Sequence, residues 1–259
     1  MNFIRERVLS GEFMAGAWCN LGSSLTVEMA AHIGYDWILL DQEHGPGDNL
    51  TLLHQMQAAQ AGNAAPIVRI AWNEMPRFKR ALDLGAMGIM VPYVQNAEEA
   101  RLAVDSMRYS PEGIRGVASS PRVTGFGLEF DKYYAEANRK LLTVVQIETG
   151  EAVVNLESIA AVEGVDVLFV GPLDLSVSLN MPGRFDDPAF HKVLAKVGEV
   201  SRAAGKAAGI LLPGPALIEF VHSLGFTFVA AGADGGMVVN GFSQVYEAMS
   251  SYTNKCIII

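Results

Sequence analysis

Cysteine is nearly missing from this chain: 259 residues hold two, Cys19 and Cys256, at opposite ends. One pair builds no disulfide framework, and no Cys/His run has zinc-site spacing, so a reducing, cytoplasmic setting is expected. Basic residues are few: 19 Lys and Arg against 28 Asp and Glu give a net charge of −9. With no basic run, neither nucleic acid nor an anionic membrane surface is expected as a partner. Apolar runs of about 18 residues, the length needed to cross a bilayer, are absent too. The opening MNFIRERVLSGE carries charge within its first seven positions and no apolar stretch, so no secretory leader is expected. The end, Cys256-Ile257-Ile258-Ile259, nominally fits a prenylation box. The polybasic segment that stable anchoring requires does not precede it, and docking of this tail on a neighbouring subunit is expected instead.

What is abundant is apolar sequence in short pieces. Half the residues are hydrophobic and the mean hydropathy is +0.24, enough for one large core. Eight β-rich apolar segments recur, at 13–18, 37–40, 67–70, 88–91, 142–147, 167–170, 208–212 and 227–230, each followed by a helical pattern. Several (VLFV, ILL, FVAA) are nearly continuous, as parallel strands covered on both faces must be. In 187–204, Phe190, Val193, Leu194, Val197 and Val200 keep helical spacing behind an Asp187-Pro188 start. Asn96 and Glu99 have the spacing of a capping box. Eight βα units without a composition break predict a single α/β domain over 1–259, a (β/α)8 TIM barrel. A doubly wound open sheet is the alternative that periodicity does not separate. Segment 109–138 is too long for an ordinary connection and is expected to be an active-site lid or a subunit arm.

Barrel enzymes carry their chemistry at the C-terminal ends of the strands. There the sequence places Trp18, then Asp41, Glu43 and His44, then Arg69, Gln146, Glu148, Asp174 and Asp234. Singly, each has an ordinary explanation: a carboxylate after a strand caps a helix, an arginine pairs structurally, a histidine lies in a solvated loop. Gathered on one rim they point to chemistry, because rim charges are costly unless paired or metal-bound. No lysine falls at a strand's C-terminal end, which argues against Schiff-base catalysis. Glu148 and Asp174 suit a hard divalent cation such as Mg²⁺ or Mn²⁺, with coordination positions left for substrate and water. His32, His54, His191 and His222 fall in helical patterns, Trp37 and Trp72 read as packing residues, and 232–236 (GADGG) is a weak phosphate-cradle signal.

The ordered motifs DQEHGP, PIVRI, MVPYV, YSPEGIRG, VQIET, VEGVDVLFVGPLDLS and GILL, spread over roughly 12–240, resemble the HpcH/HpaI aldolase family. The resemblance is greatest to its 2-dehydro-3-deoxyglucarate and 4-hydroxy-2-oxo-heptanedioate aldolases. It implies a TIM barrel, usually a homohexamer built as a trimer of dimers. It also implies a class II pyruvate aldolase that needs a divalent metal (Mg²⁺, Mn²⁺ or Co²⁺) and acts on a small 2-oxo acid. By motif, Glu148 and Asp174 match the metal ligands, and Arg69 the arginine facing the pyruvyl oxygen. His44 matches the catalytic histidine and Asp41 its carboxylate partner. Trp18, Gln146 and Leu211 match pocket residues, and Gly171, Pro172, Leu173 and Asp174 the turn that holds the pyruvate carboxylate. Leu173 stands where members more often carry a small residue, and 119–122 (SSPR) differs from familiar forms of its loop. Both departures bear on the acceptor aldehyde. The reaction expected is reversible cleavage of a 4-hydroxy-2-oxo acid to pyruvate and an aldehyde. The alternatives are another pyruvate-enolate reaction such as oxaloacetate decarboxylation, or a catalytically silent ligand-binding barrel.

Overall fold

The apolar runs become eight parallel strands: β1 (Met14–Cys19), β2 (Trp37–Asp41), β3 (Ala65–Arg69), β4 (Gly88–Val91), β5 (Leu142–Ile147), β6 (Val167–Val170), β7 (Ala207–Leu212) and β8 (Phe226–Ala233). In the computed structural model, which describes residues 2–250 and 252, they close into a barrel in chain order, β8 pairing with β1. Closure sets the open-sheet alternative aside.

Side chains alternate along each strand, so two cores form. The inner one contains Met14 and Trp18, Trp37 and Leu39, Ala65 and Ile67, Leu142 and Val144, Val167 and Phe169, and Phe228 and Ala230. The outward residues between them pack under the helical layer. Ile4, just before the short helix Arg5–Leu9, and Val8, on it, join the inner core. At its centre Trp37 stacks on Phe228 with centroids 4.0 Å apart, and Phe169 meets both rings edge-on. Gly16 makes the room: a Cβ there would lie 2.1 Å from the Trp37 indole.

Segment 109–138 is not a lid over its own strand ends. It joins the helix Ala97–Met107 to the start of β5, and residues 122–129 share a cleft with Asn2, Ala64, Pro66 and Met87. That cleft lies at the N-terminal end of the strands, opposite the rim where barrels do chemistry. The segment is docked as a strap. Buried Arg115 lies over Tyr109, donates to the Tyr133 hydroxyl at 2.9 Å and pairs with Asp83 at 3.2 Å. Tyr133 is buried, whereas Phe126 and Leu128 are 75% and 93% exposed.

Candidate active site

The same alternation that fills the inner core delivers the polar residues. Counting in twos from Leu142 and Val144 reaches Gln146 and then Glu148; from Trp37 and Leu39 it reaches Asp41; from Ala65 and Ile67, Arg69. Likewise Met14 leads through Gly16 to Trp18, and Val167 through Phe169 to Gly171. Each of these residues continues the inward face of its strand past the last apolar layer.

Register then makes the first contact. Asp41 and Arg69 are partners across β2 and β3. Arg69 donates from Nε at 3.0 Å and from Nη2 at 2.6 Å to the two Asp41 oxygens, and Nη1 lies 2.9 Å from Glu43 Oε2. The Trp18 ring covers the guanidinium at 4.8 Å. Two carboxylates and an indole therefore fix its plane, and of its five N–H donors only Nε and one on Nη2 are hydrogen-bonded, which leaves one on Nη2 and those on Nη1 for a ligand. Burial alone would raise the Asp41 carboxyl. The Arg69 guanidinium and the backbone N–H groups of Glu43 and His44 outweigh it and hold the group below the usual carboxylate range.

That geometry corrects one expectation. Asp41 does not orient the His44 side chain. Its carboxylate is taken up by Arg69 and by the backbone amides of Glu43 (3.0 Å) and His44 (3.3 Å). The His44 imidazole is 67% exposed, and its Nε2 lies 3.9 Å from Glu43 Oε1. Three residues of separation brought the His44 backbone, not its ring, to Asp41.

Glu148 is sealed at the end of β5. Oε1 accepts the Tyr93 N–H at 2.7 Å and Oε2 accepts from Gln146 Nε2 at 3.0 Å. Burial pushes its carboxyl up to about 7, with the charges of Glu43 and Asp174 adding to the rise and Tyr93 and Arg69 opposing it. Glu43 is raised for similar reasons, burial first. Gly171 is required beside it, since a Cβ would lie 2.4 Å from Glu148 Oε2. Gly171 ends the β6 run and is followed by the helix Pro172–Ser178, whose first turn carries exposed Leu173 and Asp174. Leu211, on the inward face of β7, is half-buried.

These residues fit a hard divalent cation. Glu148 and Asp174 are oxygen donors, the Asp174 charge adding to the rise at Glu148, and Gln146 Oε1 is a buried acceptor with no protein partner. Among the described residues no group of three or more His, Cys, Asp or Glu could hold a metal alone, so substrate and water would have to complete the sphere.

Other expectations resolve differently. Asp234 faces the loop after β1, accepting from the N–H groups of Asn20 (2.8 Å), Leu21 (3.3 Å) and Gly235 (2.9 Å) and the Thr26 hydroxyl (2.7 Å). Within the 232–236 turn it takes up the Gly235 N–H, and its remaining bonds tie that turn to the loop after β1. Cys19 is a buried free thiol pushed up to about 12 by burial, a packing residue. Trp72 packs in a loop and not in the core: half its surface is exposed, and its ring stacks on Tyr93. Tyr93 escaped notice altogether. It sits at φ 58°, where glycine is usual, and nothing in VPYV marks that conformation. Glu43 stood out as a rim carboxylate, but its hold on Arg69 became visible only in three dimensions. Cys256 to Ile259 lie outside the described residues.

The HpcH/HpaI aldolase/citrate lyase family model matches residues 14–241. The chain is 41% identical over 244 residues to a pyruvate aldolase of Rhizobium etli, covering 93% of this chain and 94% of that one. It is 40% identical over 240 residues to a 4-hydroxy-2-oxo-heptane-1,7-dioate aldolase of Salmonella arizonae, covering 93% and 91%. Among solved structures, an HpcH/HpaI aldolase/citrate lyase family protein from Burkholderia cenocepacia matches with a TM-score of 0.91 and 34% identity over 96% of this chain and all of that one. A barrel with this rim and these relatives belongs to the HpcH/HpaI aldolase/citrate lyase family.

Proposed function

We propose that the chain is a divalent-metal-dependent pyruvate aldolase that reversibly cleaves a 4-hydroxy-2-oxo acid to pyruvate and an aldehyde. One observation carries the reading. A buried carboxylate, Glu148, faces an arginine clamped by two acids on a rim whose eight strands contain no lysine. The relatives named as pyruvate and hydroxy-oxo-acid aldolases support it.

Glu148 and Asp174 would hold the cation, with Mg²⁺, Mn²⁺ or Co²⁺ as candidates. When bound, it supplies Lewis-acid stabilisation of negative charge on the 2-oxo oxygen. Arg69 adds a fixed positive donor for the same charge, and Asp41 is its positioning residue. The Gly171–Asp174 turn opens a helix whose first N–H groups lack intrahelical partners and suits the substrate carboxylate. As the C3–C4 bond breaks, the C4 hydroxyl loses a proton, and His44 is the base within reach of solvent to take it away. Trp18 and Leu211 close the apolar side of the pocket. The setting proposed is cytoplasmic; among the described residues no helix is long and apolar enough to cross a membrane. The working form proposed is a homo-oligomer, a homohexamer on the family pattern.

The test is pyruvate release from a synthetic 4-hydroxy-2-oxo acid. Activity should vanish with EDTA and return with Mg²⁺, Mn²⁺ or Co²⁺, and borohydride with pyruvate should not inactivate. Covalent trapping of a lysine would overturn the assignment.

A further inference from the structure

Two aromatic side chains stand half-exposed at the catalytic rim and belong to neither core: Trp72 (51%) and Tyr93 (45%). They follow adjacent strands. Trp72 comes three residues after Arg69 at the end of β3, and Tyr93 two residues after Val91 at the end of β4. Their rings stack at 5.9 Å with an interplanar angle of 29°.

Both are held from behind. The Tyr93 N–H donates to Glu148 Oε1, so the ring stands one side chain's reach from that carboxylate. Its positive φ sets the direction in which the ring leaves the chain. On the Trp72 side, Glu74 N–H donates to the Trp72 carbonyl at 2.8 Å, and Asn73 Nδ2 to the Glu99 carbonyl at 2.9 Å. Gln95, two residues past Tyr93, is fixed by Glu99 and by Asn155. The pair is thus a preformed aromatic stack beside the reacting centre, with ring area still in water.

We propose that Trp72 and Tyr93 are specificity-determining residues that form the acceptor wall and favour aldehydes carrying a planar group. The proposal rests on the aldolase reading and deepens it. A planar group stacks on the exposed ring area without needing a charged partner, and this wall supplies no charged side chain. Exposed Leu173, in the first turn of the helix after β6, adds a further apolar side chain on the same rim.

The experiment compares condensation of pyruvate with phenylacetaldehyde, acetaldehyde and succinic semialdehyde, in metal-loaded wild type, Trp72→Ala, Trp72→Phe and Tyr93→Gly. Glycine at 93 keeps the positive φ and the N–H to Glu148 and removes only the ring. Deuterium exchange of the pyruvate methyl, read by NMR, reports the enolate site independently of any aldehyde. Wild type should prefer phenylacetaldehyde by kcat/KM. Trp72→Ala and Tyr93→Gly should each lower the ratio of phenylacetaldehyde to acetaldehyde by about three- to tenfold, mainly through KM, and Trp72→Phe should restore most of it. A ratio unchanged in both variants overturns the proposal. So does equal loss for all aldehydes, or dissociation of the assembly by light scattering with selectivity intact. Absence of methyl exchange in wild type would instead sink the aldolase reading itself.

Discussion

A carboxylate shut in at the end of a strand with a pKa near neutrality stores a pH-dependent instability. In Glu148 the folded value is about 7 against an ordinary 4.5, because burial disfavours the charge. Between those values the folded state keeps a proton that the unfolded chain has released. The contribution therefore favours folding below about pH 4.5, falls as pH rises to 7, and stays low above it. The full swing is on the order of 3 kcal/mol. Glu148→Gln removes the charge and keeps the shape; Gln146, whose Oε1 has no partner, can turn its amide to meet the new one. In EDTA the variant should melt several degrees above wild type at pH 8 and nearly match it at pH 4, by calorimetry. Added Mg²⁺ should raise the melting temperature of wild type and not of the variant. An offset that is the same at both pH values would refute this account. At this scale the sequence was partly readable. Period-two counting past the apolar layers leads to Asp41, Arg69, Gln146 and Glu148, since strand geometry fixes which face they share. Partners were not readable: Asp41 could have served the His44 ring or Arg69, and only the β2–β3 register decides for Arg69.

At the scale of elements, the eight strands lie within a few residues of their expected positions, because fully buried parallel strands write themselves as unbroken apolar runs. β8 extends further than expected, through Ala233, into a glycine-bearing stretch that hydrophobicity does not flag. The strap at 109–138 shows a different lapse. Its length marked it as special, yet a segment joining a helix to the next strand of a barrel must lie at the strands' N-terminal end, so topology already forbade a lid over its own site. Inside the barrel, spacing depends on one small residue. Gly16→Ala puts a methyl into the Trp37 indole, which is pinned by Phe228 and by its own N–H to the Met14 carbonyl at 3.1 Å. Overpacking of this kind costs about 1–3 kcal/mol. A lower urea midpoint with an unchanged m-value is expected, recovered in part by adding Trp37→Leu. A Gly16→Ala chain as stable as wild type would show that the aromatic centre is loosely packed.

For the whole molecule, the helix after β8 is the part that does not fit a solitary chain. Asp234–Ser250 buries only Asp234, while Met237, Val238, Val239, Phe242, Val245, Tyr246 and Met249 are exposed. The eighth helix of a barrel ordinarily covers the seam between β8 and β1. Beside that seam the helix Ser24–Ile33 carries an exposed stripe, Leu25, Met29 and Ile33, at four-residue spacing. We propose that two such apolar surfaces satisfy each other across a two-fold axis, each copy lending its helix to the other. Burying a large apolar side chain is worth about 1.5–3 kcal/mol, so two helices with seven each exceed the roughly 4–15 kcal/mol lost on association. Phe126 and Leu128 on the strap offer a second patch through which such pairs would join into a larger ring. Light scattering should therefore find an assembly larger than a dimer for the intact chain. Phe242→Asp with Val239→Asp should reduce it to monomers that lose most activity. Substitution of Phe126 and Leu128 by serine should leave dimers. An intact chain that is monomeric and fully active at nanomolar concentration would rule out the exchange and require the helix to fold back over its own barrel.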